Sequence, residues 1–92
     1  MAKQVEVYIT DPVGLYARPV TKLVEIMKIF DCYVHLLYGD KDINMKSMMG
    51  LLSLGIPCKA HVTIIAEGKD EDHAIEALKN KIETMHLGEV LV

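Results

Sequence analysis

The sequence predicts an α+β fold, a four-stranded antiparallel sheet covered on one face by helices, and three observations predict it. Segments with a two-residue apolar period and segments with a helical period follow one another in the order βαββαβα. The strand segments lie too close together in sequence for the long crossovers that an all-parallel sheet needs. The helical segments are amphipathic, so each needs a sheet face to cover.

The first strand is read over residues 3–9, where Val5, Val7 and Ile9 alternate with Gln4, Glu6 and Tyr8. Asp11, Pro12 and Gly14 break it. From Ala17 the apolar residues Val20, Leu23, Val24, Met27 and Phe30 recur at helical spacing, and Pro19 falls in the first turn, where a missing N–H is harmless. Residues 32–38 are rich in β-branched and aromatic side chains. With the turn signal Gly39-Asp40 and a short segment from Asp42 to Met45 they form a predicted hairpin. Ser47 opens a two-turn helix over Met48 to Leu54, which Gly55 and Pro57 end. A fourth strand follows, with Ala60, Val62, Ile64 and Ala66 alternating with His61, Thr63, Ile65 and Glu67. In the last helix Asp70 is the expected N-cap, Glu71 and Asp72 complement the dipole, and Ala74, Leu78, Ile82 and Met85 share a face. That helix is expected to run to about His86, with Gly88 as its stop.

The chain has 92 residues, 51% of them apolar and 25% charged. Such a chain buries roughly 60 to 70% of its unfolded surface, so residues 1–92 are read as one domain. A net charge of -3 argues against direct contact with nucleic acid, whose binding surfaces carry a basic excess. The longest nearly apolar run, Met48 to Cys58, is broken by Gly50, Ser53, Gly55 and Pro57 and is too short to cross a bilayer. Cys32 and Cys58 form no CxxC pair, and no basic-led apolar leader precedes Val5. The expected setting is the cytoplasm, with both thiols free. No metal-ligand spacing and no glycine-rich nucleotide loop is found, so neither a metal nor a cofactor is expected.

Two motifs hold the candidate chemistry. GLYARPV at residues 14–20 runs from a glycine turn through Arg18 and Pro19 into a helix, a mouth suited to an anion. The second is Asn44-Met45-Lys46-Ser47-Met48-Met49-Gly50, followed by Leu52-Ser53-Leu54-Gly55. On these motifs, and in element order along essentially the whole chain, the sequence resembles the HPr family, the small phosphocarriers of the bacterial sugar phosphotransferase system. It looks like a Crh-like variant within that family. The resemblance implies the HPr-like open-faced β-sandwich and a phosphoacceptor or regulatory protein, not an enzyme.

The resemblance further implies that Tyr16 stands at the position of the phosphohistidine. An imidazole with pKa near 6.5 has a free nitrogen at neutral pH, whereas a phenol with pKa about 10 is protonated and its ester is a poor donor. The histidine relay is therefore expected to be lost. Of the four histidines, His35 and His61 fall on strands and His73 and His86 on the last helix, so none opens a helix beside Arg18. Tyr16 has two readings, a surface aromatic at a helix start and a partner contact. Ser47 also has two, which are compatible. It is a favoured N-cap, worth about 1 kcal/mol over alanine, and by resemblance it is the serine phosphorylated by the ATP-dependent HPr kinase/phosphorylase. A phosphate there would add about -1.5 to -2 charge at a helix start.

Met48, Met49, Leu51 and Leu52 supply more apolar surface than two turns can hide, and methionine suits docking on several partners. By resemblance the docking face takes in Tyr16, Ala17, Arg18, Lys46, Met48 and Leu52. Thr21 and Glu25 make the outer face of the first helix less basic and less apolar than a surface optimised for enzyme I. The expected partners are HPr kinase/phosphorylase and a LacI-type catabolite control protein, with enzyme I and transporter subunits under the alternative reading of a phosphocarrier in sugar transport. The leading reading is a regulator of carbon catabolite repression that no longer carries phosphate.

Overall fold

A computed structural model describes residues 2–91. Among these the elements run β1 (Ala2–Ile9), α1 (Ala17–Met27), β2 (Tyr33–Tyr38), β3 (Lys41–Asn44), α2 (Met48–Ser53), β4 (His61–Glu67), α3 (Glu71–Thr84) and β5 (Gly88–Val90). The strands form one antiparallel sheet in the order β3-β2-β4-β1-β5. The fold is α+β, as the periodicity predicts, and an open-faced sandwich, as the resemblance implies.

The two-residue period of each long strand decides what lies inside. Val5, Val7 and Ile9 of β1, Val34 and Leu36 of β2, and Val62, Ile64 and Ala66 of β4 are all buried. The helices close over them with Val20, Leu23, Val24 and Met27 of α1, Leu51 of α2, and Ala74, Ile75, Leu78 and Ile82 of α3. Each fully buried Val, Leu or Ile side chain contributes about 1.5 to 3 kcal/mol, which is why one-sided strands and helices assemble on each other.

The uncovered sheet face carries Glu6, Tyr8, Tyr33, His35, Leu37, His61, Thr63 and Ile65. Glu6 Oε1 lies 2.8 Å from His61 Nε2, and Asp42 Oδ1 lies 2.7 Å from His35 Nδ1. His35 is half-buried on this face: Tyr33 stacks on its ring at a centroid distance of 4.9 Å, and its Nε2 is enclosed without a hydrogen-bond partner. His61 and His73 are exposed.

The sequence expectation differs from the structure at three places. The sheet has five strands among the described residues, not four. The last helix ends at Thr84, before His86. His86 has φ 55, its N–H donates to Glu83 O at 3.1 Å, and Leu87 N–H donates to Ile82 O at 3.0 Å. These two bonds are the Schellman pair that closes a helix through a left-handed residue. With His86 in that role, Gly88 is free to begin β5. There it approaches β1 so closely that a Cβ would lie within 2.4 Å of Tyr8 O, a spacing only glycine permits.

The third difference is Asp70. It precedes α3, but its side chain does not cap that helix. Its carboxylate reaches across to the turn before β2, accepting from Asp31 N–H at 2.8 Å and Cys32 N–H at 2.9 Å. Those two amides have no strand partner, and the carboxylate satisfies both at once, a stronger arrangement than one helix-end bond. Glu71 Oε1 accepts from Gly68 N–H at 3.1 Å, in the turn that precedes the helix.

Candidate functional site

The loop from β1 to α1 is held from both sides. Thr10 and Asp11 N–H both donate to Leu87 O, at 2.9 and 3.1 Å, and Asp11 Oδ1 accepts from Val13 N–H at 2.9 Å. Gly14 then turns with φ +83, where a Cβ would stand 2.3 Å from Ile56 O. Leu15 follows, buried, with its N–H donating to that same Ile56 O at 2.9 Å. Glycine is thus required twice over, by backbone angle and by space. The backbone enters α1 docked on the segment that follows α2.

Tyr16 is the N-cap residue of α1, with extended φ and ψ, and its carbonyl accepts the first helical bond from Val20 N–H at 3.1 Å. No side chain caps this helix and no acidic residue lies in its first turn. Ala17 and Arg18 are exposed. Among the described residues no carboxylate lies within ion-pair distance of Arg18. Pro19 is buried in the first turn and takes no N–H with it. Unpaired helix N–H groups and a free guanidinium together favour negative charge at this mouth. Tyr16 as a residue is 37% exposed, and its side chain forms no hydrogen bond among the described residues.

Ser47 is the N-cap of α2, its Oγ accepting from Gly50 N–H at 3.1 Å. The turn leading to it is organised by Asn44, whose Oδ1 accepts from Lys46 N–H at 2.8 Å and whose carbonyl accepts from Ser47 N–H at 3.0 Å. Met45 is fully buried and fastens this turn to the core. Ser47 is an exposed residue.

Two links join the motifs. Thr21 Oγ1, which donates to Ala17 O at 2.7 Å, lies 3.7 Å from Met48 Sδ, and Leu15 bonds to Ile56 as described. The first turns of α1 and α2 therefore form one surface, with Met48 38% and Met49 79% exposed upon it. Leu51 is buried and Leu52 half-buried, so two turns of helix hide about half of their apolar side chains. Lys46 is placed differently from Arg18. Its ammonium donates to Phe30 O at 2.6 Å, beyond the C-terminal end of α1 and so at the far end of that helix from Arg18.

Thr21 and Ile56 are the contacts that the sequence did not single out as joining the motifs. Gly14 was visible as a turn residue, but the atoms that force it, Ile56 and Pro57, lie some forty positions on and carry no local signal. Among the described residues there is no group of three or more metal-ligating side chains and no pocket.

Comparison with known proteins places these features in context. Residues 3–84 match the family model described as PTS HPr component phosphorylation site. The structure is similar to the histidine-containing phosphocarrier protein of a Mycoplasma, with TM-score 0.92 and 32% identity over 95% of this chain and 99% of that one. It is similar to the phosphocarrier protein HPr of Bacillus anthracis, with TM-score 0.80 and 34% identity over 87% and 95%. It also resembles Crh, the catabolite repression protein of Bacillus subtilis in a swapped, intertwined dimer, with TM-score 0.70 and 38% identity over 80% and 85%.

Proposed function

This chain belongs to the HPr family of the phosphotransferase system, and we propose that within it the protein is a Crh-like regulator, phosphorylated at Ser47 and unable to relay phosphate through Tyr16. One observation carries the reading. The helix mouth that holds Arg18 and Pro19 presents a phenol, while an exposed serine stands at the start of α2 on the adjoining surface. A phenol protonated at neutral pH neither accepts phosphate as imidazole does nor passes it on. The chain is a phosphoacceptor that works by contact and not as a catalyst. We place it in the cytosol; no described helix is long and apolar enough to cross a membrane.

On this reading HPr kinase/phosphorylase transfers phosphate from ATP to Ser47. The added charge sits beside the exposed Met48 and Met49, within reach of partners that dock on the α1–α2 surface. A LacI-type catabolite control protein is the proposed partner, and carbon catabolite repression the proposed role. Because Lys46 is engaged with Phe30 O, the partner's own cations would pair with the phosphate. Tyr16, Ala17, Arg18, Met48 and Leu52 form the remaining contact surface.

Incubation with ATP and HPr kinase is expected to give an acid-stable label that Ser47→Ala abolishes, whereas enzyme I with labelled phosphoenolpyruvate gives none. An acid-labile label from enzyme I would overturn the reading and support the alternative, a phosphocarrier in sugar uptake, which the retained Arg18 and the unpaired N–H groups of α1 favour. If only the nucleophile has changed, Tyr16→His restores acceptance from enzyme I.

A further inference from the structure

The fifth strand changes the character of its neighbour. β5 lies along the outer edge of β1, pairing Val90 with Val7, Glu89 with Tyr8 and Gly88 with Ile9. Leu91 N–H extends the contact to Glu6 O at 2.7 Å, and Thr10 N–H extends it to Leu87 O at 2.9 Å. β4 occupies the other edge of β1 from Ala2 to Tyr8. Without β5, the outward backbone groups of β1 around Glu6, Tyr8 and Thr10 would have no ladder partner. An eight-residue strand with regular apolar alternation and a bare edge is a template for pairing with another chain.

The edges that the fold does leave open are of another kind. β5 is three residues long with an exposed glutamate at its centre, and β3 is four residues long with exposed Lys41 and Asp42. Short, charged edges resist pairing. The attachment of β5 is also modest, resting on half-buried Val90, buried Leu87 and the close approach of Gly88 to Tyr8.

We propose that β5 is an edge guard, a strand that keeps β1 from pairing with β1 of a second copy of this chain. The sequence of β1 suits that occupant. An antiparallel two-fold pair centred on Val7 sets Val5 opposite Ile9 of the second copy and Glu6 opposite its Tyr8. Apolar side chains then continue the buried face across the join. Glu6 and Tyr8, which flank Val7 and turn their backbone groups toward β5, exchange the bonds of the new ladder. Opening the guard would thus convert two five-stranded sheets into one continuous sheet with helices on a single face.

The test uses the full chain. Gly88→Val places a branched side chain against Tyr8 O and displaces β5, and Leu91→Pro removes the N–H that donates to Glu6 O. Sedimentation equilibrium is expected to show the unmodified protein monomeric and Gly88→Val dimerising at least about tenfold more tightly, with native circular dichroism. Leu91→Pro should show a smaller shift in the same direction. In diluted, monomeric Gly88→Val the Thr10 amide should lose hydrogen-exchange protection, while the Ile9 amide, bonded to Ala60 O at 2.8 Å toward β4, keeps it. A folded Gly88→Val that stays monomeric overturns the proposal, as does an unmodified protein that dimerises equally well. If Gly88→Val does not fold, a folded and monomeric Leu91→Pro overturns it. Loss of the fold in both variants would make β5 an integral part of the core and overturn it too.

Discussion

Cys32 and Cys58 are the same residue type with opposite chemical prospects. Cys32 is buried, and burial raises its thiol from an ordinary 9.0 to about 11, with the hydrogen bond to Asp70 and that residue's negative charge adding to the rise. Cys58 is half-buried, its Sγ 3.8 Å from Thr10 O. Since the thiolate is the reacting species, iodoacetamide at pH 8 is expected to modify Cys58 alone in the native protein, and both cysteines in urea. Mass spectrometry of the alkylated peptides checks this, and early labelling of Cys32 would contradict it. The sign of the pH effect follows from the raised value. The stability that a neutral Cys32 contributes is fully present below about pH 9 and is lost as the pH climbs through about 11. Cys32→Ala should therefore lose less of its urea midpoint over that interval than the unmodified protein. From the sequence both thiols were expected to be free, as the structure has them, but nothing local distinguishes them. Cys32 is packed against Gly68 in the turn before α3, so closely that a Cβ there would lie 2.8 Å from Cys32 Cβ.

At the scale of elements, α3 shows how a helix ends without its preferred residue. A left-handed C′ position is normally glycine, and a side chain there costs about 1 kcal/mol. Here His86 occupies it, and the glycine falls two residues later, where β5 meets β1. His86→Gly is expected to stabilise the protein by about 0.5 to 1 kcal/mol, read as a higher urea midpoint with an unchanged slope. A lower midpoint would mean that the imidazole makes a contact that outweighs the backbone strain. The same stretch shows where local pattern reading stops. Apolar periodicity located β1, α1, β4 and most of α3, since their buried faces repeat every two or 3.6 residues, while β2 was read from its β-branched and aromatic content. A three-residue strand such as β5 has too few residues to express a period, and its glycine read as a helix stop. The cap at Ser47 was legible because the bond it makes, to Gly50, lies within a single turn.

On the scale of the whole molecule, Asp70 ties the start of α3 to the turn that launches β2. Its carboxylate is held below the ordinary 3.8, first by the bond from Asp31 N–H and then by those from Cys32. A depressed value means that the stability it contributes is present above pH 3.8 and lost as the pH falls through the lower, native-state value. Asp70→Asn is expected to lower the urea midpoint at pH 7, and the gap between variant and unmodified protein should close as the pH is brought below the carboxylate range. A gap that persists in acid would assign the effect to packing and not to charge. The candidate site is likewise a property of the assembled molecule. GLYARPV and the Ser47 motif were each visible alone, but their junction depends on Leu15 bonding to Ile56 and on Thr21 meeting Met48. Lys46 shows the converse: adjacent to Ser47 in sequence, it turns its charge to the far end of α1.

The sequence by itself determined the fold class, the order of the long elements, the two motifs and the phenol at the start of α1. Each is written in nearest-neighbour spacing, in short-range hydrogen bonding or in side-chain identity. The tertiary structure alone decided the fifth strand, the partner of Asp70, the direction of Lys46, the enclosed ring of His35 and the unequal thiols. Those outcomes depend on which distant backbone groups come within about 3 Å of one another, and the chain carries no local record of that distance.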